Sequence, residues 1–180
     1  MKFACLLSDG FEDMEALATV DLLKRADIEV DLVSVYNKKI VIGSYGTKVI
    51  PNKPMKKLSV SDYDGLLIPG GAHAFVIRNE EVVKKIVLDF YKQKKWLMAI
   101  CAAPTVFGLM GIMDNKKYIS FPGTEKDMGK AKRMNDLKVV RDGLFITARS
   151  VGVVYDFVFE IVRTVFNDKA VDKLKKKIVY

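Results

Sequence analysis

Short apolar runs alternate with longer stretches of helical spacing from one end of this chain to the other. Lys2 to Leu7 is an apolar run that reads as a buried strand. A helix is predicted from about Glu12 to Ala26, with Asp9 as its cap and Glu12, three residues on, completing a capping-box spacing. Ile28 to Val35 reads as a strand that ends in a turn at Asn37-Lys38-Lys39. Lys39 to Ile50 is β-rich but broken by Gly43 and Gly46, which predicts a hairpin or a bulged excursion on the sheet edge, closed by Pro51 and Pro54. Leu66 to Ile68 is a buried strand that ends in Pro69-Gly70-Gly71. Glu80 to Tyr91 has helical spacing through Val83, Ile86, Val87 and Phe90, and Trp96 to Ile100 is another apolar strand. A helix is expected after Cys101 to about Met110, with further strands at Tyr118 to Ser120 and Leu144 to Ala148. Val139 to Leu144 reads as a hairpin turn on Asp142-Gly143, Val151 to Phe166 as a long amphipathic helix, and Lys169 to Lys177 as a short terminal one.

Apolar strands that alternate with helices predict an α/β fold with a mostly parallel sheet covered on both faces. In such sheets function sits in the loops beyond the strands' carboxyl ends. Three loops stand out: Ser8 to Phe11, Pro69 to Phe75, and Cys101 to Pro104. No linker, repeat or low-complexity stretch interrupts the 180 residues, so the whole chain is expected to form one domain.

Composition narrows the function classes. Half the residues are apolar and 29% are charged, enough for a sizeable core. Two cysteines cannot make a disulfide framework, and no run approaches the roughly 18 apolar residues of a membrane span. The start of the chain is too short in apolar residues for a signal-peptide core, and a cytoplasmic location is expected. The net charge of +8 comes almost wholly from lysine, part of it in Lys173 to Lys177. No aromatic or arginine is interleaved there to stack bases or read their edges, so a solvated surface is expected, with no nucleic-acid or membrane partner. One histidine and two cysteines cannot build a zinc finger or ribbon, and no metal site is expected.

Cys101 is the sharpest chemical signal. It follows an apolar strand and precedes Ala102-Ala103-Pro104, where small residues permit a tight strand-to-helix elbow. A thiol facing a helix start is expected to have a lowered pKa. Cys5, in the middle of the first strand, is expected to be core. Glu15 shares its helix face with Phe11, Glu12, Ala18 and Thr19, and points with a largely apolar stripe toward the sheet, where a carboxyl should have a raised pKa. Gly70 and Gly71 let the backbone approach a ligand, and the Gly71 and Ala102 amides are candidates for binding an oxyanion. His73, the only histidine, either borders the same pocket or lies on a surface loop; the surface reading is preferred for want of a visible partner. Gly123 to Lys130 has glycine spacing near that of a P-loop, but it is one residue too long and Ala131 replaces the required Ser or Thr. No GxGxxG fingerprint is present.

Taken together, Phe11-Glu12-Asp13-Met14-Glu15-Ala16, Asp21 to Ala26, Pro69-Gly70-Gly71 and Ala99-Ile100-Cys101-Ala102-Ala103-Pro104 resemble the ThiJ/PfpI superfamily, and within it the parkinsonism-associated deglycase (DJ-one) branch. The resemblance runs over nearly the whole chain, including Asp142-Gly143-Leu144 and Thr147-Ala148-Arg149. It implies a flavodoxin-like three-layer sandwich, a homodimer, and a reactive Cys101 hydrogen-bonded to a protonated Glu15, with no cofactor. It implies a glyoxalase or deglycase acting on methylglyoxal or related reactive carbonyls, with protection against oxidative stress. The alternative it carries is a redox sensor or chaperone whose cysteine oxidises to a sulfinate. Peptidase-like members carry His directly after the cysteine; Ala102 stands here, which argues against a peptidase or amidase. Class I glutamine amidotransferases need a histidine downstream of the cysteine, and none follows Cys101. The branch often has a pocket histidine in the segment matching Ser120-Phe121-Pro122, and here Phe121 takes its place.

Overall fold

The structure, a computed structural model, describes every residue from Met1 to Tyr180. In chain order its elements are β1 (Lys2–Leu7), α1 (Asp13–Arg25), β2 (Glu29–Ser34), β3 (Val41–Ile42), β4 (Lys48–Val49), β5 (Lys53–Pro54) and β6 (Gly65–Ile68). There follow α2 (Ala72–Ile77), α3 (Glu81–Lys92), β7 (Trp96–Ile100), α4 (Pro104–Gly108), β8 (Lys117–Tyr118), β9 (Lys132–Arg133), β10 (Val139–Asp142), β11 (Phe145–Ala148), α5 (Val154–Val165) and α6 (Asp168–Lys177). Seven strands make one sheet in the order β10-β11-β7-β6-β1-β2-β5. All its pairings are parallel except β10 with β11.

The period of two along each strand builds two separate cores. Phe3, Cys5 and Leu7 of β1 pack with Leu67, Met98 and Ile146 against α1, α5 and α6. Ala4 and Leu6 pack with Leu66, Ile68, Leu97 and Ala99 against α2, α3 and α4. The result is three layers, helices on both faces of a mostly parallel sheet, as the alternation predicts. No helix is long and apolar enough to cross a membrane.

Several local expectations are corrected. Glu12, not Asp9, caps α1: its carboxylate accepts from the Glu15 amide at 2.6 Å. Asp9 instead accepts from the Ile42 amide at 3.0 Å and pairs with Lys38. The stretch from Lys39 to Ile50 does form a hairpin, but β3 and β4 pair only with each other rather than extending the sheet. The regular helix after Cys101 is shorter than its spacing suggests: it closes at Gly108, and the chain continues in turns to Gly111, which takes φ +69°. A Cβ on Gly108 would lie 2.5 Å from the Asp127 carbonyl, so glycine lets α4 pack closely against the segment at Asp127 and Met128. The strand at Tyr118 to Ser120 is confined to β8, which pairs with β9 outside the main sheet. Ala72 to Ile77, too short to show a helical period, is α2. The β10–β11 turn places Gly143 at φ +60° directly after Asp142, which favours glycine.

Phe157 on α5 is fully buried in the first of these cores. Phe157→Ala is expected to lower the unfolding free energy by about 3–5 kcal/mol. Urea denaturation followed by circular dichroism reads this, and an unchanged midpoint would show that α5 is not clamped on the sheet.

Candidate functional site

The chain leaves β1 for α1 on one face of the sheet and leaves the neighbouring β6 for α2 on the other. That makes the ends of β1 and β6 a switch point in the winding of the sheet, where function in such folds is placed. The two loops are stitched together: the Glu12 amide donates to the Gly70 carbonyl at 2.8 Å and the His73 amide to the Gly10 carbonyl at 3.2 Å. Phe11 and Gly71 form an antiparallel bridge. Gly71 has φ +94°, and a Cβ there would lie 2.4 Å from the Gly10 carbonyl oxygen. Glycine is required at this position for both conformation and space. The β3–β4 ribbon lies over the first loop, where the Ser44 amide donates to the Phe11 carbonyl at 2.7 Å and the Asp13 carboxylate accepts from the Tyr45 amide at 3.0 Å.

Cys101 follows β7 in the left-handed region, at φ +65°, which a side chain with a Cβ rarely adopts. Its backbone is held from two sides. The Cys101 amide donates to Ala148 of β11 at 2.9 Å, and the Phe121 amide donates to the Cys101 carbonyl at 2.7 Å. The elbow leaves the thiol partly exposed and within reach of the Ala102 and Gly71 amides. Glu15, on the first turn of α1, is buried beside it, and its Oε2 accepts from the Gly70 amide at 2.8 Å. Its Oε1 is buried with no partner in ordinary hydrogen-bond geometry, while the Cys101 thiol and the Val151 amide lie close enough to act on the carboxyl.

Burial, and then the negative charge of Glu12, lifts Glu15 to about 7 against the pull of the Gly70 amide. This agrees with a carboxyl that keeps its proton into the neutral range. The expectation for the thiol is corrected. Burial, and then the charge of Glu15, pushes Cys101 up to about 12, and the Ala102 and Gly71 amides pull down by less. The helix start cannot offset this, since α4 has only five residues and begins three positions beyond the sulfur. Part of the thiol's rise is conditional, however. A Glu15 that holds its proton no longer repels a thiolate, and its Oε1 hydroxyl gains the partner that it lacks. Where that proton sits decides whether the sulfur is a nucleophile.

The other expected residues fall differently. Cys5 is fully buried in β1, and burial raises its thiol pKa strongly. The Gly70 amide is committed to Glu15, so of the two glycines only Gly71 turns its N–H to the sulfur. The surface reading of His73 is corrected: the residue is fully buried, its Nδ1 3.2 Å from the Ser8 hydroxyl and its Nε2 2.8 Å from the Pro69 carbonyl. Both ring nitrogens are occupied, so the chain contains no Cys–His dyad. Phe121 is 47% exposed and touches the elbow through its backbone amide. Nowhere do three or more His, Cys, Asp or Glu side chains converge as metal ligands would. Sequence reasoning missed two residues: Ser8, the first polar position after the apolar run of β1, and Glu12 as the cap that sets the first turn of α1 beneath Glu15.

Two buried titratable groups have opposite effects on stability. Burial lowers His73 from its ordinary 6.5 to about 4, so its stabilisation is complete above pH 6.5 and is lost as pH falls to about 4. Glu15 is raised from 4.5 to about 7, so its neutral form is favoured and stability is lost as pH rises through that window. Each effect is on the order of 3 kcal/mol, and over their overlap the two nearly cancel. Urea unfolding across pH is expected to separate them. The stability of the natural chain relative to His73→Leu should grow between pH 4 and 6.5, and relative to Glu15→Gln it should shrink between pH 4.5 and 7. Parallel curves would contradict the burial of these groups.

The chain and its fold are similar to known proteins. Protein dj-1beta of Drosophila melanogaster is 26% identical over 179 residues, spanning 97% of this chain and 94% of that one. A deglycase of Pyrococcus abyssi is 27% identical over 164 residues, 91% of this chain and 98% of that one. The crystal structure of Drosophila melanogaster DJ-1beta matches with a TM-score of 0.92 at 26% identity, over 99% of this chain and 97% of that one. The family description itself fits residues 1–164, and with the Cys101 elbow and Glu15 inside that span, the chain belongs to the DJ-1/PfpI family.

Proposed function

We propose that this protein is a cysteine-dependent enzyme that converts methylglyoxal, or a related small reactive carbonyl, to a hydroxy acid in the manner of a glyoxalase or deglycase. The observation that carries the reading is the buried, unpartnered Oε1 of Glu15 beside a partly exposed thiol on a strained elbow. Relatives from Pyrococcus abyssi, Pyrococcus horikoshii and Pyrococcus furiosus are named deglycases, which supports the same class of chemistry.

Glu15 takes the thiol proton as the sulfur attacks the aldehyde carbon of methylglyoxal. The oxygen that becomes negative is met by the Gly71 and Ala102 amides and takes that same proton from Glu15, giving a hemithioacetal and leaving Glu15 as a carboxylate. The Glu15 carboxylate then removes the hydrogen from the former aldehyde carbon and returns it as a proton to the neighbouring carbon, while the hydroxyl proton passes from the first oxygen to the second through the enediol. The product of this shift is a lactoyl thioester on Cys101. Water cleaves the thioester, lactate leaves and the thiol is restored, so the sum is methylglyoxal plus water giving lactate. A carboxyl poised at about 7 is suited to accept and return a proton at neutral pH. The only histidine has both ring nitrogens engaged elsewhere and is no base for the thiol, which also disfavours a peptidase mechanism.

Lactate formation from methylglyoxal without glutathione is expected to vanish in Cys101→Ala and to fall by about 10²–10⁴ in Glu15→Gln, which keeps the shape but not the proton transfer. Activity that survives in Cys101→Ala rules the reading out.

A second reading, an oxidation sensor, is favoured by the contrast between the two thiols: Cys101 is accessible and Cys5 is not. A protonated Glu15 would hold a Cys101 sulfinate by a charge-assisted hydrogen bond. Mild peroxide followed by peptide mass mapping is expected to add two oxygens at Cys101 and none at Cys5. Oxidation that spares Cys101 removes this reading.

A further inference from the structure

We propose that His73, oriented by Ser8, is a positioning residue for Glu15 that acts through the single peptide unit between Pro69 and Gly70. The inference rests on Glu15 being the proton-carrying member of the pair, and its test reads that residue directly rather than turnover.

The peptide between Pro69 and Gly70 is planar, with its C=O and N–H pointing in opposite directions. His73 Nε2 holds the oxygen end at 2.8 Å, and Glu15 Oε2 accepts from the nitrogen end at 2.8 Å. Fixing one end therefore fixes the other. A carbonyl can only accept, so Nε2 carries the ring proton. The neutral ring then has a lone pair at Nδ1, which accepts from the Ser8 hydroxyl at 3.2 Å. The donors thus run in one direction: Ser8 to His73, His73 to Pro69, and Gly70 to Glu15. Bonds aligned this way polarise one another in a dry interior. His73 is fully buried and Ser8 nearly so, and burial keeps the imidazole neutral, which this chain of bonds requires. The clamp joins the loop after β1, which carries Ser8, to the loop after β6, which carries Pro69, and its far end is the carboxyl that shares a proton with Cys101.

The amide of Gly70 stabilises an ionised Glu15 more than a neutral one. Loosening that peptide should therefore make the carboxyl harder to ionise. The test is carbon-13 NMR of labelled Glu15 as a function of pH, in a Cys101→Ser background where no thiolate competes for the proton. Adding His73→Leu, which removes both ring bonds, is expected to raise the Glu15 midpoint by about half a pH unit or more. His73→Gln, whose side-chain amide can reach the Pro69 carbonyl, should restore most of the original midpoint. Ser8→Ala leaves the ring in place and removes only its orienting bond, so a smaller upward shift is expected. This variant decides the matter if His73→Leu does not fold. A Glu15 midpoint that stays put in folded His73→Leu or in Ser8→Ala overturns the proposal. So does an equal shift in the Gln and Leu variants, because packing alone would then explain it. If Cys101→Ala still makes lactate while the midpoint moves as expected, the enzyme reading fails and the positioning role stands.

Discussion

Everything at this site depends on how closely a carboxyl and a thiol can approach across one residue without a side chain. A Cβ on Gly70 would lie 2.4 Å from Glu15 Oε2, 2.5 Å from the Cys101 Cβ and 3.1 Å from its sulfur. No side chain fits there, so the gap between the acid and the sulfur is as wide as a bare backbone. That backbone brings a useful donor with it, since the Gly70 amide is the one partner Oε2 has. The same short spacing makes the pair interdependent. Burial alone would push both groups toward their neutral forms, and the adjacent carboxylate pushes the thiol further. A single proton added to the doubly ionised pair turns repulsion into a hydrogen bond.

The sheet supplies this approach through its topology. Glu15 comes from a helix on one face, and the residues that meet it come from the ends of β6 and β7, whose following helices lie on the opposite face. Parallel neighbours end at the same edge, so loops from different faces converge without a long excursion. Two further contacts hold the convergence rigid. The Glu12 amide ties the start of α1 to Gly70, and Ala148 of β11 ties the Cys101 backbone to the sheet. The β3–β4 hairpin then closes over the first loop, and a Cβ on Gly43 would sit 2.4 Å from the Asp13 carboxylate, which a larger residue would push from its bonds to the Tyr45 and Thr47 amides.

Much of this was legible in the sequence because it is written in local periodicity. β1 is apolar after Lys2 and β7 is apolar throughout, both fall where the pattern places them, and the face of α1 that carries Glu15 follows from a spacing of three and four. What escaped depends on contacts distant in the chain. His73 looked exposed because its partners lie at Ser8, 65 residues away, and at a backbone carbonyl that no pattern marks. The cap of α1 went to Glu12 because Asp9 is taken up by the hairpin, at Ile42 and Lys38. The thiol was misjudged because a helix start is visible in a sequence and the depth of burial around it is not.

The polar interior has a physical cost that the fold must carry. An unpartnered buried carboxyl oxygen and a non-glycine residue in the left-handed region each cost on the order of 1–3 kcal/mol. Structures retain such features where surrounding packing over-determines them. Here the packing is continuous on both sides: Phe157 and Ile161 of α5 and Leu23 of α1 are fully buried on one face, and Phe90 of α3 and Phe107 of α4 on the other. The elbow has little freedom to relax, because relaxing φ at Cys101 would break its bonds to Ala148 and Phe121, and moving Glu15 would break its bond to Gly70. A strained sulfur and an unsatisfied acid held this tightly are poised to gain stability from any electrophile or oxidant that consumes the thiol and gives Oε1 a partner. That is why the same geometry serves both of the chemistries proposed for it.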